Sequence, residues 1–509
     1  MPKLTLKVGV ALTMLMLAPA ARADLPAPAP EAAHGTPAAI QAALLKGIEA
    51  AKANDLPTAR RNFTAALEDS AFSQIEPRAQ YATLYMLGAT EFDLKDYAPA
   101  YDHLTRAGLI SPGLRDLNYW RLRLEAAGGA HKPEAMADSL TDEATAAPAT
   151  LSDLDSRMLS FDIYSIQTLK DDPRTLRVLE ALRAAHFQPN DPFITNEAWW
   201  MELVRLYGQA GHGDEARALA ASLSTPDSVV ALQSNKLYAD YAPQGADAYT
   251  AAVTAETARL RAAVAAHPDR LEGPVTLASR LMSDNHLDEA LSVIDAALAK
   301  AKAPGKPAFT DQDEQLEWAY LQESDILAKL GRWDEAVAAQ VKSRNAISWD
   351  SISQKVNLGD IYYETGKPAQ ALDAVKSLTQ KDGSPYGNMA TEEVRACAYA
   401  QQGKTAELSA SLTFMKAHAA DAYGPLRSAL QCAGDSDGLA QVIVSQLDDP
   451  QQRALVLKDA QAWLPDPHPT PFRVKMIAVR DAAMARPDVR AAIQKYGAVN
   501  TYSSFRSGN

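Results

Sequence analysis

The sequence predicts an all-α fold: a solenoid of stacked antiparallel helix pairs with a helical C-terminal cap. Three observations predict it. From Ala38 onward apolar residues recur at spacings of three and four, and no stretch alternates convincingly as a strand would. The helical patterns are broken by short turns such as Ala53-Asn54-Asp55, Gly211-His212-Gly213 and Gly366-Lys367-Pro368. Small and apolar residues also recur in one joint register along most of the chain. Abundant Ala and scarce β-branched runs suit closely packed helices.

The first segment reads as a targeting signal rather than part of the fold. Lys3 and Lys7 form a short positive region, Val8 to Ala18 is apolar, Pro19 breaks it, and Ala21-Arg22-Ala23 fits a small-residue cleavage site. Residues 1–23 are therefore expected to be a signal peptide, with the mature chain starting near Asp24. The apolar run is too short to span a bilayer comfortably, and no stop-transfer segment follows. There is no twin-arginine pair, and no Cys follows the apolar run to carry a lipid. The expected location is the periplasm, with secretion as the alternative. Residues 24–37, rich in Pro and Ala, are expected to be a flexible leader.

The 509-residue chain carries a net charge of −13, which becomes −16 once Lys3, Lys7 and Arg22 are removed. That balance argues against nucleic acid or anionic lipid as the main partner. A chain this long usually means several domains, but a repeat array is the exception because its core grows lengthwise.

The stretch Leu84 to Pro112 shows the register most clearly. Leu84, Leu87-Gly88, Lys95-Asp96-Tyr97, Ala100, Leu104, Ala107 and Pro112 follow one another on two successive helical patterns. Gly88 and Ala100 would face each other where two antiparallel helices approach closely, and a larger side chain there would overpack by about 1–3 kcal/mol. The same offsets return at Leu358-Gly359, Tyr362, Gly366 and Ala371. They return again at Trp200, Leu203, Tyr207, Gly211 and Ala216; at Leu277-Ala278, Leu281, Leu287 and Ala290; and at Tyr320, Leu327, Gly331, Trp333 and Ala336. Weaker copies centre on Ala59 and Ala135, and Tyr399, Gly403 and Leu408 fit loosely. Two of the gaps between small second-helix anchors, Ala135 to Ala216 and Ala216 to Ala290, are near double a unit. Each should hide a degenerate pair, in Leu151–Ala185 and Ser228–Ala266.

This pattern resembles the tetratricopeptide repeat, whose unit of about 34 residues carries a large residue, Leu-Gly, a turn, a small residue and a closing Pro. Glu91 departs from it, standing where the family prefers an aromatic; Phe92 follows. The resemblance covers Ala38 to about Leu447. It implies a repeat solenoid over residues 38–450 with Gly88, Ala100, Ala216, Ala290, Ala336, Gly359 and Ala371 as structural anchors. It further implies a superhelix whose concave face takes peptides or extended segments of partner proteins. Projecting the family's inward positions onto this chain nominates Tyr85, Phe92, Trp120, Met201, Arg205, Trp318 and Tyr363 as contact residues. Aromatics, Met and Arg are what a contact surface uses.

Residues 451–509 leave the period. Gln451 to Leu464 reads as one helix, Pro465-Asp466-Pro467-His468-Pro469 as a rigid break, and Phe472–Ala485 and Pro487–Tyr496 as two closing helices. A solenoid needs a terminal cap with one polar face, and this segment suits the role. From Pro471 on it holds seven Lys and Arg against Asp481 and Asp488, the pattern of a solvated cap face or of a dock for an acidic partner.

Cys397 and Cys432 are the only cysteines. In an oxidising compartment two thiols can pair. Matching positions on packed helices are often too far apart to bridge, so two small buried residues is the competing reading.

No catalytic constellation emerges. The nine His are scattered singly, with no His-Glu-x-x-His pair and no Gly-x-Ser-x-Gly elbow. Gly403-Lys404-Thr405 imitates the end of a phosphate loop, but Ala398 stands where its first Gly should be. Asp435-Ser436-Asp437-Gly438 lacks the remaining calcium ligands. Neither a cofactor nor a metal is implied. The expectation is a non-enzymatic scaffold for a protein or peptide of the cell envelope, with no integral membrane segment after signal cleavage. The alternative is a component of polysaccharide export or cell-wall machinery, a cell-wall lytic enzyme included.

Overall fold

A computed structural model describes residues 35–243, 245–346, 351–381 and 383–506. The expected signal peptide, 1–23, and most of the expected leader lie outside these residues. Among the described residues the structure is helical throughout, apart from two isolated bridges, Asn235 with Gly497 and Ala462 with Thr501. The chain divides into two compact units between Trp199 and Trp200.

The first unit contains α1 (Pro37–Lys52), α2 (Leu56–Glu68), α3 (Pro77–Asp93), α4 (Tyr97–Ile110), α5 (Leu117–Gly129), α6 (Pro133–Ala146), α7 (Ser156–Gln167) and α8 (Asp172–Ala184). α1–α2, α3–α4 and α5–α6 are antiparallel hairpins, and each hairpin packs on the next. The expected degenerate pair in Leu151–Ala185 is α7 and α8, but α8 packs chiefly against α6 rather than against α7.

The turns inside these hairpins share one device. The second residue beyond the first helix is left-handed: Asn54 at φ 59°, Lys95 at 62° and His131 at 52°. This lets the next amide reach back five residues, Asp55 N to Ala50 O (2.9 Å), Asp96 N to Glu91 O (2.8 Å) and Lys132 N to Ala127 O (3.1 Å), so orphan carbonyls at the helix end are satisfied. Asp side chains then cap several following helices, as Asp55 does at Thr58 N and Asp116 at Tyr119 N.

The close approach expected at Gly88 is present. A Cβ built there would lie 2.8 Å from Leu104 Cγ and 3.1 Å from the carbonyl oxygen of Ala100. Ala100 and Leu104 are fully buried. Glu91, the departure from the family pattern, is itself buried at 2 % exposure and held by His103 Nδ1 at 2.7 Å and Arg60 Nε at 3.6 Å. A charge takes the place of an aromatic because α4, its hairpin partner, and α2 of the preceding hairpin both supply polar groups to it.

The second unit begins in α9 (Glu197–Ala210). It continues with α10 (Gly213–Ala220), α11 (Pro226–Ser234), α12 (Ala246–Ala266), α13 (Glu272–Ser283), α14 (Leu287–Ala301), α15 (Gln312–Lys329), α16 (Trp333–Asn345) and α17 (Ile352–Glu364). Then come α18 (Pro368–Val375), α19 (Pro385–Gln402), α20 (Thr405–Ala417), α21 (Tyr423–Ala433) and α22 (Ser436–Asp448). The hairpins α13–α14, α15–α16, α17–α18, α19–α20 and α21–α22 stack in series. Gly replaces the non-Gly turn residues of the first unit at Gly331, Gly366, Gly403 and Gly434, with φ between 68° and 76°. Ala216, Ala290, Ala336 and Ala371 are all fully buried, and a Cβ at Gly359 would sit 2.6 Å from Val394. The second degenerate pair is α11 and α12.

Beyond α22 come α23 (Arg453–Asp459), α24 (Pro471–Met484) and α25 (Pro487–Tyr496). These three pack on α22, as an end cap would. They also do something not foreseen: the segment folds back through its own unit. α23 packs on α11, and Ala498 N donates to Ser234 O at 2.9 Å. Helix α23 is shorter than expected because Ala462 and Leu464 leave it to pair with the chain's last stretch, Ala462 N to Asn500 O (2.9 Å) and Leu464 N to Ser504 O (3.0 Å).

Candidate functional site

The fold-back places residues 462–506 against α12 and against the first helices of the hairpins that begin at α13. At one end Tyr249 of α12, Trp463 and Tyr502 cluster, with the Trp463 and Tyr502 rings stacked at 4.8 Å and Tyr249 4.6 Å from Tyr502. Phe505 N donates to Ser283 O at 2.7 Å, closing the end of α13. Further along, Lys329 of α15 pairs with Asp466 at 3.3 Å and lies over the Phe505 ring. Trp333 Nε1 donates to His468 O at 3.2 Å, and the His468 ring lies against Gly331.

The tightest part lies where α24 meets α17, α19 and α21. One turn of α17 presents Asp360, Tyr363 and Glu364; α19 presents Glu393; α21 presents Ser428. Into this set α24 inserts Phe472, edge-on to Tyr363 at 6.1 Å, and Arg473, paired with Glu364 at 2.5 Å. Tyr363 Oη donates to Glu393 Oε1 at 3.3 Å, and Ser428 also hydrogen-bonds Glu393. Asp360 Oδ1 is buried without a hydrogen-bond partner among the described residues.

Three carboxyl groups thus face one guanidinium. Burial pushes Glu393 up to about 7; Ser428, Tyr363 and Arg473 pull back in the other direction. Asp360 is also held well above the usual carboxylate range, by burial first and then by the neighbouring Glu393 and Glu364. The Cys397–Cys432 disulfide bridges α19 and α21 one helical turn from the Glu393–Ser428 contact, with Cα atoms 5.0 Å apart. The pairing left open by the sequence is therefore present in the structure.

The residues nominated from the family's inward positions fall into three groups. Trp120, Arg205 and Tyr363 are buried and do not present a contact surface. Trp120 packs edge-on to Tyr119 at 4.9 Å beneath Arg115, within the core shared by α3, α4 and α5. Arg205 makes a two-pronged ion pair with Glu202 on its own helix and reaches Gln209 at 2.7 Å. Tyr363 belongs to the core that also takes Phe472 and Met476 from α24. Tyr85, Phe92 and Met201 are half-buried, with Tyr85 stacked on Tyr81 at 5.8 Å and Phe92 edge-on to Tyr97 at 5.4 Å. Trp318 of α15 is 39 % exposed.

Sequence reasoning missed the carboxylates Asp360 and Glu393 because acidic residues are common on this chain and only their convergence distinguishes them. It also missed α7, which exposes Met158, Phe161 and Tyr164 at the i, i+3, i+6 spacing of one helix face. That spacing was the available signal.

Among the described residues no group of three or more His, Cys, Asp or Glu side chains is placed to hold a metal ion, and no helix is long and apolar enough to cross a membrane. No family model matches the chain, and no curated protein matches it. A solved structure, the APC/C hetero-tetramer Cut9–Hcn1, is similar at 12 % identity over 90 % of this chain and 96 % of that one, with a TM-score of 0.27. At that level the likeness carries no argument, and the fold assignment rests on the helix pairs themselves. Their short left-handed turns, small-residue contacts and serial stacking make this an all-α protein of tetratricopeptide-like antiparallel hairpins.

Proposed function

We propose that the chain is an exported, non-enzymatic scaffold that binds a polypeptide segment of a cell-envelope partner. The observation that carries this reading is the fold-back of residues 462–506. Helices α12 and α13 of the second unit hold the non-helical stretch that ends the fold-back through a backbone hydrogen bond, Phe505 N to Ser283 O, and through aromatic contacts, such as Tyr249 with Tyr502. A rigid array that holds its own chain this way has the chemistry to hold another, at little ordering cost to itself. Trp318, exposed on α15, is the anchor offered to such a partner. The pattern of Lys3, Lys7, Val8–Ala18 and Ala21-Arg22-Ala23 supports export to the periplasm.

The test is an in-cell crosslink and pull-down of the native chain beside Trp318→Ala, with cell fractionation and N-terminal sequencing of the product. The expected result is one envelope protein recovered with the native chain, weakened with Trp318→Ala, and a mature N-terminus near Asp24. Recovery of no protein, or release of soluble fragments when the pure chain is incubated with peptidoglycan, would overturn the scaffold reading. An intact Met1 in the cytoplasmic fraction would overturn export.

A further inference from the structure

We propose that the contact between α24 and the acidic residues of α17 and α19 is a pH-gated latch, closed at mildly acidic pH and loosened as the pH rises, that controls whether the C-terminal segment covers the inner face of the second unit. The proposal rests on the scaffold reading for its purpose, since the segment would then shield the surface a partner uses, but not for its mechanism.

The geometry is that of a latch with too much negative charge for its one bolt. Facing the contact are Asp360, Tyr363 and Glu364 from α17, Glu393 from α19, and Ser428 from α21. Asp325 and Lys329 lie on α15, Asp466 and His468 on the connecting stretch, Arg473 on α24 and Arg506 near the end of the chain. Most of the cations among them are already engaged: Arg473 with Glu364, Lys329 with Asp466 and Arg506 with Asp459. Arg427, also on α21, is taken by Asp459 at 2.7 Å. Asp360 and Glu393 are left to share the field of Arg473 with a carboxylate that already holds it.

When Asp360 and Glu393 carry protons, the set is one carboxylate against one guanidinium, and the docked arrangement is electrically balanced. When both ionise, three negative charges crowd one positive charge in a half-buried space, and undocking admits water to all of them. The direction follows from linkage. A carboxyl group whose docked value lies above its free value favours the docked state when protonated, and that preference fades as the pH climbs through the docked value. For Glu393 this places the change around pH 7.

The remainder of the contact sets what opens. Phe472 and Met476 bind α24 to the core of α17 and α19 by apolar burial, which is insensitive to pH, so the latch changes an opening equilibrium rather than expelling the segment.

The test is hydrogen–deuterium exchange on the native chain, reading peptides from α24 and residues 499–506 at pH 5.5 and pH 8.0, with labelling times scaled for the intrinsic pH dependence of exchange. The expected result is exchange in these peptides about tenfold faster at pH 8.0 than at pH 5.5. The same peptides of the denatured chain, labelled at both pH values, serve as the reference. In Glu393→Gln, and in Asp360→Asn combined with it, the pH dependence is expected to flatten with the segment protected at both values. Arg473→Gln is expected to raise exchange at both. Equal protection of the native chain at the two pH values would overturn the latch. So would an undiminished pH dependence in the Glu393→Gln, Asp360→Asn chain. Because no partner is present, failure here is distinguishable from failure of the scaffold reading, which the pull-down reads.

Discussion

Cys397 of α19 and Cys432 of α21 are joined by a disulfide that spans one hairpin unit, and the Cys432 sulfur also lies 3.8 Å from the Met476 sulfur of α24. The bond therefore fixes the two helices that frame Glu393 and Ser428. Closing a loop of this length, a sequence separation of 35, restricts the unfolded chain by about 3–4 kcal/mol. Cys432→Ser is expected to lower the stability of the second unit by that order, and reductant to do the same to the native chain and nothing further to the variant. Thiol titration of the denatured, unreduced protein should find no free sulfhydryl; two free thiols per chain would show that the bond does not form.

The left-handed turns give an opposed pair of substitutions. Lys95 occupies φ 62°, a conformation that costs an L-residue about 1–2 kcal/mol and glycine almost nothing. Lys95→Gly is expected to stabilise by about 0.5 kcal/mol, the relief being partly offset by the greater freedom of glycine in the unfolded chain. Gly331, at φ 74°, has the opposite problem: a Cβ there would lie 2.9 Å from His468 Cγ. Gly331→Ala is expected to lose about 1–2 kcal/mol and to weaken the seat of His468. Denaturant titrations of the two variants with opposite signs would bear out the turn geometry, and equal signs would count against it.

How much of this was legible in the sequence depended on the range over which each feature is determined. Gly88 facing Ala100 and Gly359 facing Ala371 were readable because a close helix crossing demands a small residue at a fixed offset, a purely local requirement. Trp120 and Tyr363 were misplaced because one residue turns a helix by about 100°, enough to move a side chain from the inner face into the core between hairpins. The fold-back of residues 462–506 was invisible. Its contacts join residues as far apart as Gln233 and Tyr502, a separation of 269, and no periodicity records such a pairing. The convergence of Asp360, Glu393 and Arg473 depends on that fold-back and shared its invisibility.

Glu91 offers a test of a buried charge where the repeat pattern would carry an aromatic. Its carboxylate is 2.7 Å from His103 and lies near Arg60, which also reaches Asp96 at 2.7 Å. Removing one member of such a set leaves the others buried and unpaired, which costs about 3–5 kcal/mol when the site is closed to water. Arg60 is partly exposed, so the lower end applies here. Glu91→Ala is expected to destabilise the first unit by about 3 kcal/mol, and His103→Ala by less. A double-mutant cycle should return a coupling between the two of about 1 kcal/mol or more; additivity would show that Glu91 is tolerated rather than used.

Glu143 of α6 predicts how the first unit responds to pH. It is fully buried, and burial pushes its carboxyl from 4.5 up to about 7, against smaller opposing pulls from the Thr150 hydroxyl and Arg123. Asp162 of α7 is pushed up to about 7 as well, by burial and by Glu125. Both folded values lie above the unfolded ones, so the folded state binds the proton more tightly. The stability linked to these groups is fully present below about pH 4 and is lost as the pH rises through about 7, the reverse of the usual behaviour of a carboxylate held in an ion pair. For Glu143 alone the linked change approaches about 3 kcal/mol between those limits. The first unit is therefore expected to be more stable at pH 5.5 than at pH 8. Glu143→Gln is isosteric, keeps a group that can meet the Thr150 hydroxyl, and has no proton to lose. It should match the native chain at pH 5.5 and exceed it at pH 8. Exchange of the α5 and α6 amides in denaturant at the two pH values would measure this directly, and a native chain whose first unit gains stability between pH 5.5 and pH 8 would contradict the burial of Glu143 as the controlling term.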